Sequence, residues 1–195
     1  IKKLILASKN TELYLSILIS INTGLRLSEV LGLRWKDIDF DKNIIRVESI
    51  RDRYGVQNTT KSGKARVVPL GRDLNEHLLL AQGDYDFEGF ICLNKREKPI
   101  SRSSVNRAIK KIKAQCSLSS SFTFHTLRHS YASHFVMNGG SIYDLKKILG
   151  HSDIKMTERY AHLSADHIAN VSEVAPLNSS ITSRSYGRLG DNKKN

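Results

Sequence analysis

The stretch from residue 125 to 160 sets the tightest limit on what this chain can fold into. Three helix-length segments follow one another there, and glycines punctuate them. His125 to Asn138 stops at Gly139-Gly140, and Ser141 to Leu149 stops at Gly150. A third segment starts near Ser152 and runs through Tyr160. Glycine just past a helix adopts the left-handed turn that ends it. Ser141 is placed to cap the middle helix, and Asp144 lies in its first turn, where a negative charge suits the helix dipole. A chain broken so often here is built from short helices packed on one another.

The rest of the pattern adds helices and a little sheet. Leu13, Ile17, Leu18 and Ile21 recur at helical spacing within residues 10–22, and Gly24 ends that run. The longest apolar stretch, Leu13 to Ile21, is interrupted by Ser16 and Ser20 and predicts a buried helix. A short helix follows over residues 28–33 with Ser28 as its N-cap. Residues 72–82 predict a helix with Leu74, Leu78 and Leu79 inward. Residues 101–116 predict another, capped by Ser101, with Val105, Ile109 and Ile112 on one face. Residues 44–50 (IIRVESI) and 65–70 (ARVVPL) predict strands joined by a polar, glycine-containing turn. Phe90, Ile91 and Cys92 predict a short third strand or an extended link. The expected class is α+β, mainly α-helical, with an antiparallel sheet of about three strands.

With 195 residues the chain is sized for one domain and a tail. The domain is expected over residues 1–175. Residues 176–195 are polar and are expected to be flexible or ordered only against a partner. Ile1 already lies in an amphipathic pattern, so the chain reads as a fragment with upstream residues missing. No apolar run reaches the ~18 residues of a membrane-spanning helix. Two cysteines, Cys92 and Cys116, exclude a disulfide framework and a four-cysteine zinc site. Lys plus Arg number 31 against 19 Asp plus Glu, a net charge of +12. That excess points to a polyanionic partner, nucleic acid before anionic membrane. The basic charge is concentrated. Lys95 to Lys113 holds eight Lys or Arg and one Glu, and a single-sign block of that density departs from the mixed charge of ordinary surfaces.

Four segments carry candidate chemistry. In HTLRHSYASHF (125–135), His125 and Arg128 lie one helical turn apart. Both can be cationic, which makes a poor stabilising pair but a sensible grip for a phosphate. His125 and His129 are also four apart, but Thr126 stands where a zinc-protease helix needs glutamate, so no metal is expected. In LGHSDIKMTERYAHL (149–163), His151 follows the glycine stop and Tyr160 comes nine residues later. A phenol of pKa about 10 becomes a nucleophile beside positive charge, and Arg159 and His162 are its neighbours in sequence. In TGLRLSEVLGLRW (23–35), Arg26 follows a glycine turn, and Glu29 is placed to orient its guanidinium. In TKSGKARVVPL (60–70), Lys61 sits at a turn between two strands, where a hairpin tip can deliver it into a DNA groove, with Lys64 and Arg66 as neighbours.

Taken together, these four segments resemble the tyrosine recombinases, and within them the integrases of temperate phages. The resemblance spans roughly residues 1–175. It rests on TGLR-x-SE at Arg26 and Glu29, a turn lysine before R-x-V-P-L at Lys61, H-x-L-R-H at His125 and Arg128, and LGH followed nine residues later by Y-A-H at His151 and Tyr160. Each motif alone is weak, and their shared order and spacing are specific. The family fold is the recombinase catalytic domain; its usual amino-terminal DNA-clamping domain is not in this sequence.

The resemblance implies a reaction on double-stranded DNA with no metal or other cofactor. Tyr160 attacks a phosphodiester, a 3′-phosphotyrosine forms, and the freed 5′-hydroxyl gives way to one from another strand. Arg26, Arg128 and one or both of His125 and His151 contact the phosphate oxygens. Lys61, or Lys64 three residues on, protonates the leaving oxygen, and His125 assists proton removal from Tyr160. Arg102, Arg107, Lys110 and Lys111, with Lys64 and Arg66, are expected DNA contacts. The resemblance also implies a tetramer on DNA, with Val171, Val174 and Leu177 of the segment after Tyr160 docking on a neighbour, in the cytoplasm of a bacterial host. Three other readings compete with it: a type IB topoisomerase-like or resolvase enzyme that relaxes DNA, a non-catalytic basic DNA-binding module, and a metal-dependent nuclease. The last needs clustered carboxylates, and those here are scattered.

Overall fold

A computed structural model describes residues 1–52, 54–57 and 65–164. The first helices are α1 (Lys2–Ser8), α2 (Tyr14–Thr23) and α3 (Leu27–Gly32). Five short strands follow: β1 (Ile38–Asp39), β2 (Ile44–Val47), β3 (Ile50–Asp52), β4 (Gly55–Gln57) and β5 (Arg66–Pro69). Then come α4 (Arg72–Gln82), α5 (Arg102–Cys116), α6 (Phe124–Met137), α7 (Ile142–Leu149) and α8 (Lys155–Glu158). The expected class holds, a mainly helical chain with a three-stranded antiparallel sheet ordered β1-β2-β5. The residues named for docking, Val171, Val174 and Leu177, lie outside the described residues.

Local chemistry explains several helix ends. Ser101 Oγ accepts the Ser104 N–H at the start of α5, and Ser141 Oγ accepts that of Tyr143 at the start of α7. Gly24 (φ +69°) closes α2 and Gly150 (φ +64°) closes α7. Gly24 is demanded twice over, because a Cβ there would lie 2.6 Å from side-chain atoms of Leu149 and of Tyr131.

Four details differ from the sequence reading. The cap position of α3 is Arg26, not Ser28, because the Glu29 carboxylate accepts the Arg26 backbone N–H at 2.7 Å. The segment 44–50 divides into β2 and β3, and β3 pairs with β4 in a separate ribbon. The third strand of the main sheet is β1, two residues long, whereas Phe90 forms only an isolated bridge to Arg34. Leu79 is exposed, since the buried stripe of α4 runs through Leu74 and Leu78 alone.

The core joins every layer. Ile17 and Ile19 of α2, Leu25, Val30 of α3, Ile45 and Val68 of the sheet, Leu78 of α4 and Val105 of α5 are fully buried together. Each such side chain contributes about 1.5–3 kcal/mol by leaving water. Helix α6 spans two clusters. Phe124 and Leu127 belong to this core, and Ala132 and Val136 to a second one with Leu145, Leu149 and Tyr160. The amino end of α6 is thereby fixed against the ends of α2 and α7. Among the described residues, no helix is long and apolar enough to cross a membrane.

Candidate active site

Glu29 is the first fixed point. It is fully buried and its two oxygens are held by two arginines. Arg66 Nη1 and Nη2 donate to Oε1 and Oε2 at 2.9 and 2.8 Å, a bidentate pair. Arg26 Nη1 donates to Oε1 at 3.0 Å. Burial pushes the Glu29 carboxyl up, but the bonds and charge of Arg66, joined by those of Arg26, outweigh it and hold the group below the ordinary carboxylate range. Glu29 thus orients the Arg26 guanidinium, as its placement three residues on suggests, and does so from the interior.

The same contacts overturn one expectation. Arg66 was expected to meet DNA, yet its side chain is only 8% exposed. Its Nε donates to the Ile148 carbonyl at 2.7 Å, and both terminal nitrogens hold Glu29. Arg66 therefore ties β5 to α3 and to the end of α7. Lys61 and Lys64 lie outside the described residues.

Arg128 is the second fixed point and is almost fully buried. Nη1 donates to the Gly24 carbonyl at 2.8 Å and Nη2 to the Leu149 carbonyl at 2.7 Å. One guanidinium thus clamps the turn before Arg26 to the turn before His151. Each terminal nitrogen keeps a second hydrogen for a ligand. Burial and the neighbouring Arg26 push Arg128 down to about 9, so it stays cationic at neutral pH.

These clamps gather the predicted groups around one cavity of about 110 Å³. Arg26, His125, Arg128, His151 and Tyr160 line it, with His129, Met156 and Arg159. His151 Nδ1 lies 2.8 Å from Thr157 Oγ1. The phenol of Tyr160 meets His129 rather than His125: its hydroxyl lies 2.5 Å from His129 Nδ1. His125 instead meets His129 edge-on, with ring centres 4.7 Å apart. Burial raises the Tyr160 hydroxyl above the ordinary phenol value, against the pull of Arg159 and Arg128. Arg159 and His129 were not among the site residues expected from sequence. Their signals were adjacency to Tyr160 and the i, i+4 relation to His125.

The remaining basic residues lie outside this cavity. Arg102 lines an adjoining cleft of about 440 Å³ with Arg26 and His125. Arg107, Lys110 and Lys111 are exposed farther along α5. The arrangement suits a tetrahedral anion: fixed cationic and imidazole donors surround a space into which one nucleophilic oxygen opens.

The histidines give the folded state a pH signature. Burial, then Arg128, Arg26, Arg159 and Arg66, pushes His151 down to about 4 from its ordinary 6.5. Burial lowers His125 and His129 in the same direction. The unfolded chain therefore takes up protons first on acidification. The stability these histidines contribute is complete above pH 6.5 and is lost as pH falls toward 4. The DNA-free protein should melt at progressively lower temperature across that window, and His151→Gln should show a shallower decline. Parallel declines in the two proteins would contradict this assignment.

Residues 1–167 match the model of the phage integrase family. The chain belongs to this family. Similar members include tyrosine recombinase XerC of Xanthomonas campestris pv. campestris, 33% identical over 156 residues, which are 79% of this chain and 45% of the relative. The integrase of Escherichia phage 186 is 33% identical over 165 residues, 80% of this chain and 42% of that one. This phage integrase family chain thus spans less than half the length of these relatives. Among solved structures, the catalytic domain of bacteriophage HP1 integrase aligns with a TM-score of 0.66 at 29% identity, covering 90% of this chain and 91% of that one. The Tn1549 transposon integrase, solved in complex with circular intermediate DNA, aligns with a TM-score of 0.72 at 22% identity, over 82% of this chain and 58% of that one. That likeness speaks for the fold alone.

Proposed function

We propose that this chain is the catalytic domain of a site-specific DNA recombinase that integrates or excises DNA through a 3′-phosphotyrosine intermediate. One observation carries the reading: Arg26, His125, Arg128, His151 and Tyr160, spread over 135 residues, line a single cavity. Similarity to recombinases such as XerC and to a phage integrase supports it. Arg26 and Arg128 hold the non-bridging oxygens as negative charge builds on them, and His125 and His151 add neutral or charged donors. Fixed donors of this kind typically contribute ~10²–10³ each in rate. Lys61 (or Lys64) protonates the departing 5′-oxygen. The phosphotyrosine bond conserves the energy of the broken linkage, so the strand can be rejoined without ATP.

Duplex DNA is the proposed partner, supported by the net charge of +12 and by the exposed basic face of α5. Arg102 lies beside the cavity and Lys110 stands two turns farther along the helix, a path suited to phosphates flanking the cleaved one. Replacing Lys110 and Lys111 by Ala should flatten the salt dependence of DNA binding by ~2 logarithmic slope units. An unchanged slope in a binding titration would remove α5 from the interface. Assembly of four copies on DNA through residues 176–195 belongs to the same proposal. Deleting residues 172–195 tests it, and assembly that survives the deletion would count against exchange of the tail.

The direct test uses a pool of randomised duplexes, each nicked so that the strand beyond the cleavage point diffuses away. The native chain should accumulate a covalent protein–DNA adduct, with the nucleotide mapped to Tyr160 by peptide mass spectrometry. A chain that binds the pool and never forms an adduct would refute the recombinase reading.

A further inference from the structure

His129 is the group in hydrogen-bond contact with the proposed nucleophile. Its Nδ1 faces the Tyr160 hydroxyl at 2.5 Å, close enough for direct proton transfer with no water between them. The contact is supported on both sides. Tyr160 is buried among Ala132, Val136, Leu145 and Leu149, and His129 is half-buried on α6 with the edge of His125 against its ring. Among the described residues, the charged and titratable groups around it are His125 and Arg128 on α6 and Arg159 and Tyr160 beyond α8. Arg26 and His151 share the cavity. These surroundings favour an unprotonated imidazole, which is the form able to accept a proton.

We infer that His129 is the general base of the cleavage step, taking the proton of Tyr160 directly; this rests on the recombinase reading above. The phenol O–H bond breaks as the phenol oxygen bonds to phosphorus. The proton passes to His129 Nδ1, whose Nε2 already carries one, and an imidazolium results. The 5′-oxygen leaves with its bonding pair and is protonated by the ammonium of Lys61 (or Lys64). Free phenol is a weaker acid than imidazolium, so transfer accompanies the attack and does not precede it. Burial, joined by Arg159 and Arg128, keeps the base unprotonated at rest, and the same two arginines favour the phenolate as it forms. In the rejoining step His129 returns the proton to the departing phenol oxygen.

The test measures single-turnover adduct formation on the trapped duplex between pH 5.5 and 9 for the native chain, His129→Asn and His129→Phe. Asparagine can present an amide oxygen to the same hydroxyl but cannot hold the proton; phenylalanine keeps the ring volume. Thermal melting and the salt slope of DNA binding establish that each variant is folded. The native rate should level off near neutral pH. Both variants should be ~10²–10⁴-fold slower at pH 7, the usual contribution of a general base. Their rates should also climb steadily with pH, because phenolate must then arise through hydroxide. Near-native rate and plateau in His129→Asn would reduce His129 to positioning the ring and overturn the inference. Native-like profiles in both variants would overturn it as well. A native chain without adduct would instead remove the recombinase reading on which the inference stands.

Discussion

Replacing Tyr160 by Phe is expected to abolish the covalent DNA adduct completely while leaving the fold and DNA binding in place. The ring of Tyr160 is 6% exposed and packs on Ala132, Val136, Leu145 and Leu149. Phenylalanine fills that volume with the same carbon skeleton. What disappears is one oxygen, its proton and a hydrogen bond to His129. A hydrogen bond of this kind contributes about 0.5–1.5 kcal/mol net, so melting temperature should move by only a few degrees. Among the described residues, no other group lining the cavity can substitute as the attacking oxygen, since the others are Arg26, His125, Arg128, His129, His151, Met156 and Arg159. The measurement is denaturing electrophoresis of the nicked-duplex reaction, beside a salt titration of binding. An adduct that persists in Tyr160→Phe would move the nucleophile elsewhere and end the proposed mechanism.

The second large effect is expected from Glu29→Ala, and it falls on stability first. The carboxylate is fully buried and takes bonds from Arg66, from the Arg26 side chain and from the Arg26 backbone. Removing it leaves the Arg66 guanidinium inside the protein with no counter-charge. Breaking one side of a buried ion pair typically costs about 3–5 kcal/mol. For a chain of this size that lowers the melting temperature by roughly 6–20 °C. Adduct formation should slow as well, because Arg26 loses the partner that fixes its direction. The double variant Glu29→Ala with Arg66→Met should recover part of the loss, since the stranded charge goes with it. Strictly additive losses in thermal melts would show that the two side chains act independently, against the bidentate contact.

Much of this was legible in the sequence, and the misses have physical causes. Helix ends marked by Gly24 and Gly150 were readable because both glycines occupy a left-handed turn that other residues resist. Arg26, His125, Arg128, His151 and Tyr160, which the family resemblance groups as site residues, line one cavity. Strand β1 escaped notice because two residues carry no periodicity. Arg66 was misplaced because alternation along a strand does not reveal what lies over each face; here Glu29 and the Ile148 carbonyl do. His125 and His129 lie on the same face of α6, so spacing could not decide which imidazole reaches the phenol. That choice depends on where the segment after α8 sets Tyr160.

Under the proposed reading, the Arg128 clamp bears on when the protein becomes able to cut DNA. Its guanidinium ties the loop after α2 to the loop after α7, two points more than a hundred residues apart in the chain. Contacts between such distant points form late in folding, once the loop between them has closed. Under the proposed reading, a nascent or partly unfolded copy therefore carries a tyrosine but no phosphate cradle. It can cling to a chromosome by charge and still do it no harm.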